Sequence, residues 1–209
     1  MKFTVVHFGT LRVQASEMVK GVEIETLQSH YNVEEDGSME IGMHGVVVEW
    51  GDRLIVVDPG CAGFLPGSLA ESYGLQMEQA SWEAVSSAGY DPHEITDVLF
   101  THLHFDHGSG AFRRVPGSIE KAFPEARYVI HTDHLSYAMD PLKMEEGSFF
   151  ERLVAYAKPL TIMDDWDVEG VEIYESRGHT LAMVAFIFRE GDQSLVFPGD
   201  LIPMKLFLE

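Results

Sequence analysis

The stretch THLHFDH at residues 101–107 constrains the chain most, because it places three imidazoles and a carboxylate within six positions. Residues 95–101 are apolar and β-branched, which predicts a buried strand that ends where the ligand candidates begin. In extended backbone alternate side chains share a face, so we expect His102, His104 and Asp106 to point the same way, and His107 to point elsewhere. Neutral imidazole suits zinc, and a carboxylate oxygen suits a second cation. The stretch therefore predicts a metal site at a strand end.

Three further side chains stand at the ends of predicted strands. His179 lies in a Gly-His-Thr sequence, Asp200 in Pro-Gly-Asp, and Asp58 in Asp-Pro-Gly. Taken singly, such a histidine is more often structural, and Asp58 also fits a turn-forming aspartate before a proline. Together with the stretch 101–107, all three become candidate partners of the metal site.

The stretch 101–107 resembles the metal-binding signature of the metallo-β-lactamase superfamily, and the Gly-His-Thr and Pro-Gly-Asp sequences match that family's next two motifs in order. The resemblance implies an α/β fold, a four-layered αβ/βα sandwich with metals in the groove between two sheets. It implies two metals, each held by three side chains: His102, His104 and His179 for the first, and Asp106, His107 and the bridging Asp200 for the second. Asp58 resembles the carboxylate of the first motif, which supports the ligand loop from behind.

The same resemblance indicates a metal-dependent hydrolase. Zinc lowers the pKa of water to about 7, and two ions roughly 3.5–4 Å apart share the task of activating it. Asp106 would orient the nucleophile and relay a proton. Members with di-iron redox chemistry typically carry Glu where this chain has His104, which favours one or two Zn²⁺ ions, with Fe or Mn as alternatives.

The substrate class follows from the resemblance only coarsely. The Phe105 variant of the signature is similar to lactonase-like and phosphotriesterase-like members, which indicates a small ester, lactone or phosphotriester as substrate. A glyoxalase II-like thioesterase and a metal-binding domain with little or no catalysis are the alternatives.

The sequence departs from the family after Asp200. The family's last motif is a further histidine some tens of residues downstream, whereas nine residues follow Asp200 here. We therefore expect one domain over residues 1–209 with a shortened C-terminal half, an incomplete second metal site, and an open sheet edge that a homodimer would cover. Six other histidines are candidate substitutes for the missing ligand: His7, His30, His44, His93, His131 and His134.

Charge and cysteine content limit the partners. The chain has 34 acidic residues against 14 Lys and Arg, a formal net charge of -20, which repels phosphate backbones and anionic membranes. No apolar stretch approaches the roughly 20 residues that span a bilayer. The single cysteine, Cys61, is expected to be a small core residue, and a chain without disulfides fits a reducing compartment. The N-terminal residues do not have the pattern of a secretory signal. We expect a cytoplasmic protein that binds a small-molecule substrate but neither nucleic acid nor membrane.

Hydrophobic periodicity and turn residues predict the remaining elements. Strands are expected at residues 2–8, 46–50, 53–57, 127–131, 171–175, 181–188 and 194–197, and helices at 75–88, 132–139 and from Ser148 to Ala157. Residues 64–74 are expected to form a loop, and Pro116-Gly117 leaves residues 113–123 unassigned.

Overall fold

The structure is a computed structural model and describes residues 1–19, 21–149 and 161–208. Its strands are β1 (Lys2–Gln14), β2 (Ser38–Trp50), β3 (Arg53–Val57), β4 (Asp97–Leu99), β5 (Phe112–Val115), β6 (Ser118–Lys121), β7 (Arg127–Ile130), β8 (Thr161–Ile162), β9 (Val171–Ser176), β10 (Met183–Glu190) and β11 (Gln193–Phe197). Its helices are α1 (Ala15–Met18), α2 (Ile24–His30), α3 (Gly67–Ser72), α4 (Ser81–Ser87), α5 (Phe105–Gly108) and α6 (Thr132–Met139).

Two sheets organise these elements. The larger has six strands in the order β1-β2-β3-β4-β7-β8, and the smaller has three in the order β11-β10-β9. Strands β1 to β3 are antiparallel, whereas β3, β4, β7 and β8 run parallel. Parallel strands end at the same edge of a sheet, so the residues that follow β3 and β4 meet there. The fold thereby places Asp58 beside the stretch 101–107.

Alternation along β2 divides the apolar side chains between two cores. Val46 and Val48 face the smaller sheet and pack in a buried cluster with Phe186. Val47 points to the opposite face, where it shares a cluster with Val85 of α4. The larger sheet is thus covered by the smaller sheet on one side and by helices on the other, the α/β arrangement that the sequence predicted.

The first strand is longer than expected because a bulge carries it past Phe8. The pairing of β1 with β2 shifts between His7 and Gly9, and Gly9 adopts a φ of +130°. A Cβ at Gly9 would lie 2.3 Å from the carbonyl oxygen of Gln76, so glycine is required where these backbones approach. Gln76 exchanges two backbone hydrogen bonds with Thr10, which explains why the predicted helix at 75–88 begins only at α4.

Most other predicted elements are confirmed, with shifts at their ends. The β2–β3 hairpin turns at the expected Gly51-Asp52, and α6 has the expected bounds. The expected loop at 64–74 contains α3, and the unassigned residues around Pro116-Gly117 form the β5–β6 hairpin. Ser148 ends a 3-10 turn (Glu146–Ser148), and the rest of the helix predicted to follow it lies outside the described residues.

Part of the apolar surface is open to solvent. Within the described chain β11 pairs on one side only, with β10. Phe3 and Val5 of β1 are 47% and 60% exposed. Within the described residues β11 is thus an edge strand, and the homodimer expected to cover an open edge stays a prediction. None of the described helices has the length and apolar character needed to cross a bilayer.

A buried carboxylate stabilises the end of the larger sheet that lies away from the ligand candidates. Asp97 is fully buried at the start of β4 and accepts hydrogen bonds from Arg53 (3.1 Å), Arg127 (2.6 Å) and the indole nitrogen of Trp166 (2.9 Å). Burial alone would raise the pKa of Asp97, but the hydrogen bonds from Thr96 and Trp166 and the charge of Arg127 hold it below its usual value. The carboxylate thus ties β3, β4, β7 and the segment before β9 together.

We expect Asp97→Asn to lower the free energy of unfolding by about 2–3 kcal/mol, because it removes charged hydrogen bonds from two guanidinium groups. Urea denaturation measures the change, with Asp192→Asn, at an exposed turn, as the matched control. Equal stabilities for the two variants would contradict this role for Asp97.

Candidate metal centre

The stretch 101–107 leaves the sheet and turns into a helix. Strand β4 ends at Leu99, His104 keeps extended backbone (φ −59°, ψ 150°), and α5 begins at Phe105. The backbone N–H groups of His107 and Gly108 both donate to the carbonyl oxygen of His104. The expectation that His102, His104 and Asp106 share one face of an extended chain is therefore wrong for Asp106, which a helical turn positions instead.

Three imidazoles converge from two distant segments of the chain. The ring centroids of His102 and His104 lie 4.5 Å apart, and His179 lies 5.0 Å and 4.8 Å from them. Each ring offers a nitrogen within 4.8 Å of the other two, and His104 Nδ1 lies 3.0 Å from His179 Nε2. The Nε2 atom of His102 is buried and has no hydrogen-bond partner in the described chain. Buried polar atoms without partners are rare, so this cluster fits a divalent cation.

Asp106, His107 and Asp200 form a second group beside the imidazoles. His107 Nε2 lies 3.2 Å from Asp200 Oδ1 and 3.6 Å from Asp106 Oδ2. The other oxygen of Asp200 lies 3.4 Å from His179 Nε2, so this carboxylate stands between the two groups, where the resemblance puts a bridging ligand. Gly199 permits this approach: its φ is +53°, and a Cβ there would lie 2.7 Å from the hydroxyl of Thr101.

Asp58 lies behind both groups. Its side chain is 1% exposed and its φ is +47°, a left-handed conformation that is uncommon outside glycine. The carboxylate accepts hydrogen bonds from the backbone N–H of Thr101 (2.8 Å), from the Thr101 hydroxyl, and from His107 Nδ1 (2.9 Å). Because His107 donates through Nδ1, its Nε2 faces Asp106 and Asp200.

The same carboxylate also orients His102 through Thr101. The Thr101 hydroxyl donates its only proton to Asp58, so it accepts a hydrogen bond from His102 Nδ1, which lies 2.9 Å away. This assignment leaves His102 Nε2 unprotonated and turned toward the cluster. Asp58 therefore sets the tautomers of two candidate ligands at once, which is the usual role of a carboxylate behind metal-binding histidines.

Electrostatics divide the centre into two halves. Burial lowers the pKa of His102 and His104 well below the usual value, and the neighbouring imidazoles add to the effect. Burial also lowers the pKa of His107, but the charges of Asp200 and Asp106 outweigh it and raise that pKa well above the usual value. Burial raises the pKa of Asp106. The first half thus presents neutral imidazoles ready to bind a cation, and the second presents carboxylates.

Sequence reasoning missed the residues that support the imidazoles from outside. One oxygen of Glu145 accepts a hydrogen bond from Thr180 (2.7 Å) and lies 3.9 Å from His104 Nε2, and the other accepts one from Tyr137 (2.9 Å). The ring of Phe149 packs against His104 at 4.8 Å. No sequence motif marks Glu145, Tyr137 or Phe149, because α6 and the residues after it come close to the imidazoles only when the chain folds.

His134 was a candidate substitute ligand, and the structure excludes that role. It is fully buried, its Nε2 accepts the backbone N–H of Leu103 (2.8 Å), and its Nδ1 donates to the carbonyl oxygen of Leu181 (2.7 Å). Both nitrogens are therefore engaged by backbone. Cys61 is a small buried residue, as expected, and burial raises the pKa of its thiol to about 12, so it does not serve as a nucleophile.

A cavity of about 510 Å³ opens over the centre and reaches His104, Asp106, His179 and Asp200. The same cavity is also lined by side chains from β1, β2, α1 and the C-terminal segment: Leu11, Val13, Glu17, Met18, Ile41, Leu201, Pro203 and Phe207. Tyr73 lines the same space and packs on Phe105, with ring centroids 5.0 Å apart. The centre thus faces a largely apolar cavity large enough for a small organic molecule.

Comparisons with known proteins agree with this geometry. A sequence model of the metallo-β-lactamase superfamily matches residues 45–207. Probable metallo-hydrolases of Mycobacterium tuberculosis and Mycobacterium bovis are each 28% identical over 178 residues, covering 75% of this chain and 56% of theirs. The chain therefore spans little more than half the length of these curated relatives.

Solved structures show the same fold. A probable metal-dependent hydrolase from Staphylococcus aureus superposes with a TM-score of 0.86 at 19% identity, covering 98% of this chain and 74% of that protein. AidC, a dizinc quorum-quenching lactonase, gives a TM-score of 0.72 at 15% identity, with 93% and 69% covered. The hydrolase AbOPH gives 0.71 at 23% identity, with 96% and 70% covered.

We expect Asp58→Asn to weaken metal binding by about 10- to 100-fold. Asparagine tolerates the left-handed backbone, but its amide donates where the carboxylate accepted, which reverses the hydrogen bonds that orient His107 and Thr101. Competition with a chromophoric chelator measures the affinity, and circular dichroism checks the fold. An unchanged affinity would show that the carboxylate does not order the ligands.

The stability of the metal-free protein is expected to fall in acid partly through His134, because burial lowers the pKa of its imidazole to about 4. In the unfolded chain the pKa of this imidazole is about 6.5. Below that pH His134 is protonated in the unfolded chain but stays neutral in the folded protein, which favours unfolding. The resulting loss in the free energy of unfolding begins below about pH 6.5, grows as the pH falls toward 4, and reaches about 3 kcal/mol.

Urea denaturation of wild type and His134→Gln at pH 7 and pH 5 isolates this contribution. The wild type is expected to lose about 2 kcal/mol more than the variant between these values. Parallel losses in the two proteins would contradict a buried neutral imidazole at position 134.

Proposed function

The chain belongs to the metallo-β-lactamase superfamily, and from this premise we propose that it is a metal-dependent hydrolase of a small ester, lactone or phosphotriester. The observation that carries the proposal is the convergence of His102, His104 and His179, in which the buried Nε2 of His102 has no hydrogen-bond partner in the described chain. The relatives named as metallo-hydrolases support the reaction class, and the neighbour named as a dizinc lactonase supports zinc and the lactone.

His102, His104 and His179 would hold the first cation, and Asp106, His107 and Asp200 the second. A bound zinc ion would act as a Lewis acid and lower the pKa of water to about 7, which supplies a nucleophile at neutral pH. The neutral state of the buried His102 and His104 means that no proton has to leave these rings when the cation binds.

Asp106 is the residue that we propose moves the proton. Its carboxylate faces the cavity beside Asp200, and burial raises its pKa, which strengthens it as a base. It accepts the proton of the attacking water and returns it to the leaving oxygen of the substrate. In the metal-free protein the charges of Asp200 and Asp106 raise the pKa of His107, whose Nε2 lies 3.2 Å and 3.6 Å from these carboxylates and would have to lose its proton before it bound the second cation.

The apolar wall of the cavity supports a substrate with a hydrocarbon part next to its scissile bond. Leu11, Ile41 and Phe207 line the same cavity as the ligand candidates and give it apolar surface. A formal net charge of -20 disfavours polyanionic substrates such as nucleic acid.

The test is a panel of substrates assayed with the metal-stripped protein and after addition of Zn²⁺, Mn²⁺ or Fe²⁺. An N-acyl homoserine lactone, paraoxon and a glutathione thioester represent the lactone, phosphotriester and thioester classes. We expect metal-dependent turnover of the lactone or the phosphotriester. Turnover of the thioester alone would favour the thioesterase, and metal binding without any turnover would contradict the hydrolase.

Asp106→Asn is expected to lower kcat by about 10²- to 10⁴-fold, the range that a positioned proton-transfer group contributes. The imidazole cluster is not changed by this substitution, so one metal ion is expected to remain bound, as measured by plasma mass spectrometry of the purified variant. Asp164→Asn, on the exposed surface, is the matched control and retains full activity. A variant at position 106 with unchanged kcat would exclude Asp106 as the proton carrier.

A further inference from the structure

His134 connects the two segments that carry the imidazole cluster. The N–H that it accepts belongs to Leu103, which lies between His102 and His104. The carbonyl to which it donates belongs to Leu181, two residues after His179. One side chain at the start of α6 is thus hydrogen-bonded to backbone on both sides of the candidate metal centre, across 78 residues of sequence.

The two backbone groups dictate the chemistry of this link. An N–H only donates and a carbonyl oxygen only accepts, so Nε2 must be unprotonated and Nδ1 must carry the proton. Among apolar replacements of similar size none pairs with both groups, and each would leave a buried N–H and a buried carbonyl oxygen without partners. A neutral imidazole in this single tautomer fits the gap between the two segments.

The surroundings restrict how far either segment can move. His134 is fully buried, with the ring of Phe149 at 5.8 Å and that of His102 at 6.2 Å. Ala182, directly after Leu181, holds a left-handed φ of +54°, which a residue with a Cβ adopts only where its environment enforces it. The hydrogen bond from His134 to Leu181 is part of that environment.

We infer that His134 is a positioning residue that sets the distance between the segment of His102 and His104 and the segment of His179, so that the imidazole cluster is formed before a metal binds. The inference rests on the proposed metal site and names a residue that acts on it without touching the cation. A backbone hydrogen bond also joins the same two segments: the N–H of Val184 donates to the carbonyl oxygen of Thr101 (2.9 Å).

The first experiment determines the tautomer in the metal-free protein. Long-range ¹H–¹⁵N correlation spectra report which nitrogen of each histidine carries the proton. We expect His134 to be neutral and protonated at Nδ1, with slow exchange of that proton with solvent. Protonation at Nε2, or rapid exchange, would overturn the inference without any bearing on metal binding.

The second experiment compares metal binding in three variants. His134→Phe removes both hydrogen bonds, His134→Gln retains an acceptor and a donor, and Trp166→Phe removes a buried hydrogen bond at the far end of the sheet as the matched control. Co²⁺ affinity and the visible absorption spectrum of the bound Co²⁺ report on the ligand geometry. We expect His134→Phe to bind Co²⁺ about 10- to 100-fold more weakly with an altered spectrum.

We also expect His134→Gln to recover part of the affinity and Trp166→Phe to match the wild type. Equal affinity and spectra in wild type and His134→Phe would overturn the inference, as would an equal loss in Trp166→Phe, which would indicate general destabilisation. If His134→Phe does not fold, two results still test the inference. These are the Co²⁺ affinity of His134→Gln compared with that of Trp166→Phe, and the tautomer of His134 in the wild type. Failure of the wild type to bind any metal would instead refute the proposed function.

Discussion

The buried carboxylate of Asp58 is the interaction on which the candidate centre depends. It accepts hydrogen bonds from Thr101 and His107, and through the Thr101 hydroxyl it also fixes the tautomer of His102. The parallel pairing of β3 with β4 brings this carboxylate beside the stretch 101–107, and its left-handed backbone aims the side chain inward. Strain of about 1 kcal/mol at this residue is offset by the hydrogen bonds that it makes.

From this point the centre is built outward in two directions. On one side the neutral imidazoles of His102 and His104 meet His179, which the smaller sheet contributes, and their burial suits them to bind a cation. On the other side Asp106 and Asp200 flank His107 and supply negative charge. The cavity over the centre therefore brings together a candidate cation site, a candidate base and apolar side chains, the elements that the proposed hydrolysis of a small molecule requires.

Local patterns predicted much of this structure, and tertiary contacts explain what they missed. The β2–β3 hairpin and α6 follow from turn residues and periodicity, and the ligand candidates follow from the stretch 101–107 and its two downstream motifs. The turn of α5 was missed because the run of alternating histidines is also compatible with extended chain. Glu145 and the link made by His134 were beyond reach, since both act through backbone or side chains that are distant in sequence.

We propose that His102, His104 and His179 bind a metal ion between them, and the other assignments of the site depend on this one. The most direct measurement is an anomalous-difference map from a crystal of the zinc-supplemented protein, with data collected on both sides of the zinc absorption edge. We expect a peak in contact with a nitrogen of each of the three rings, present above the edge and absent below it. A map without a peak there, or with His179 turned away from the other two rings, would contradict this proposal.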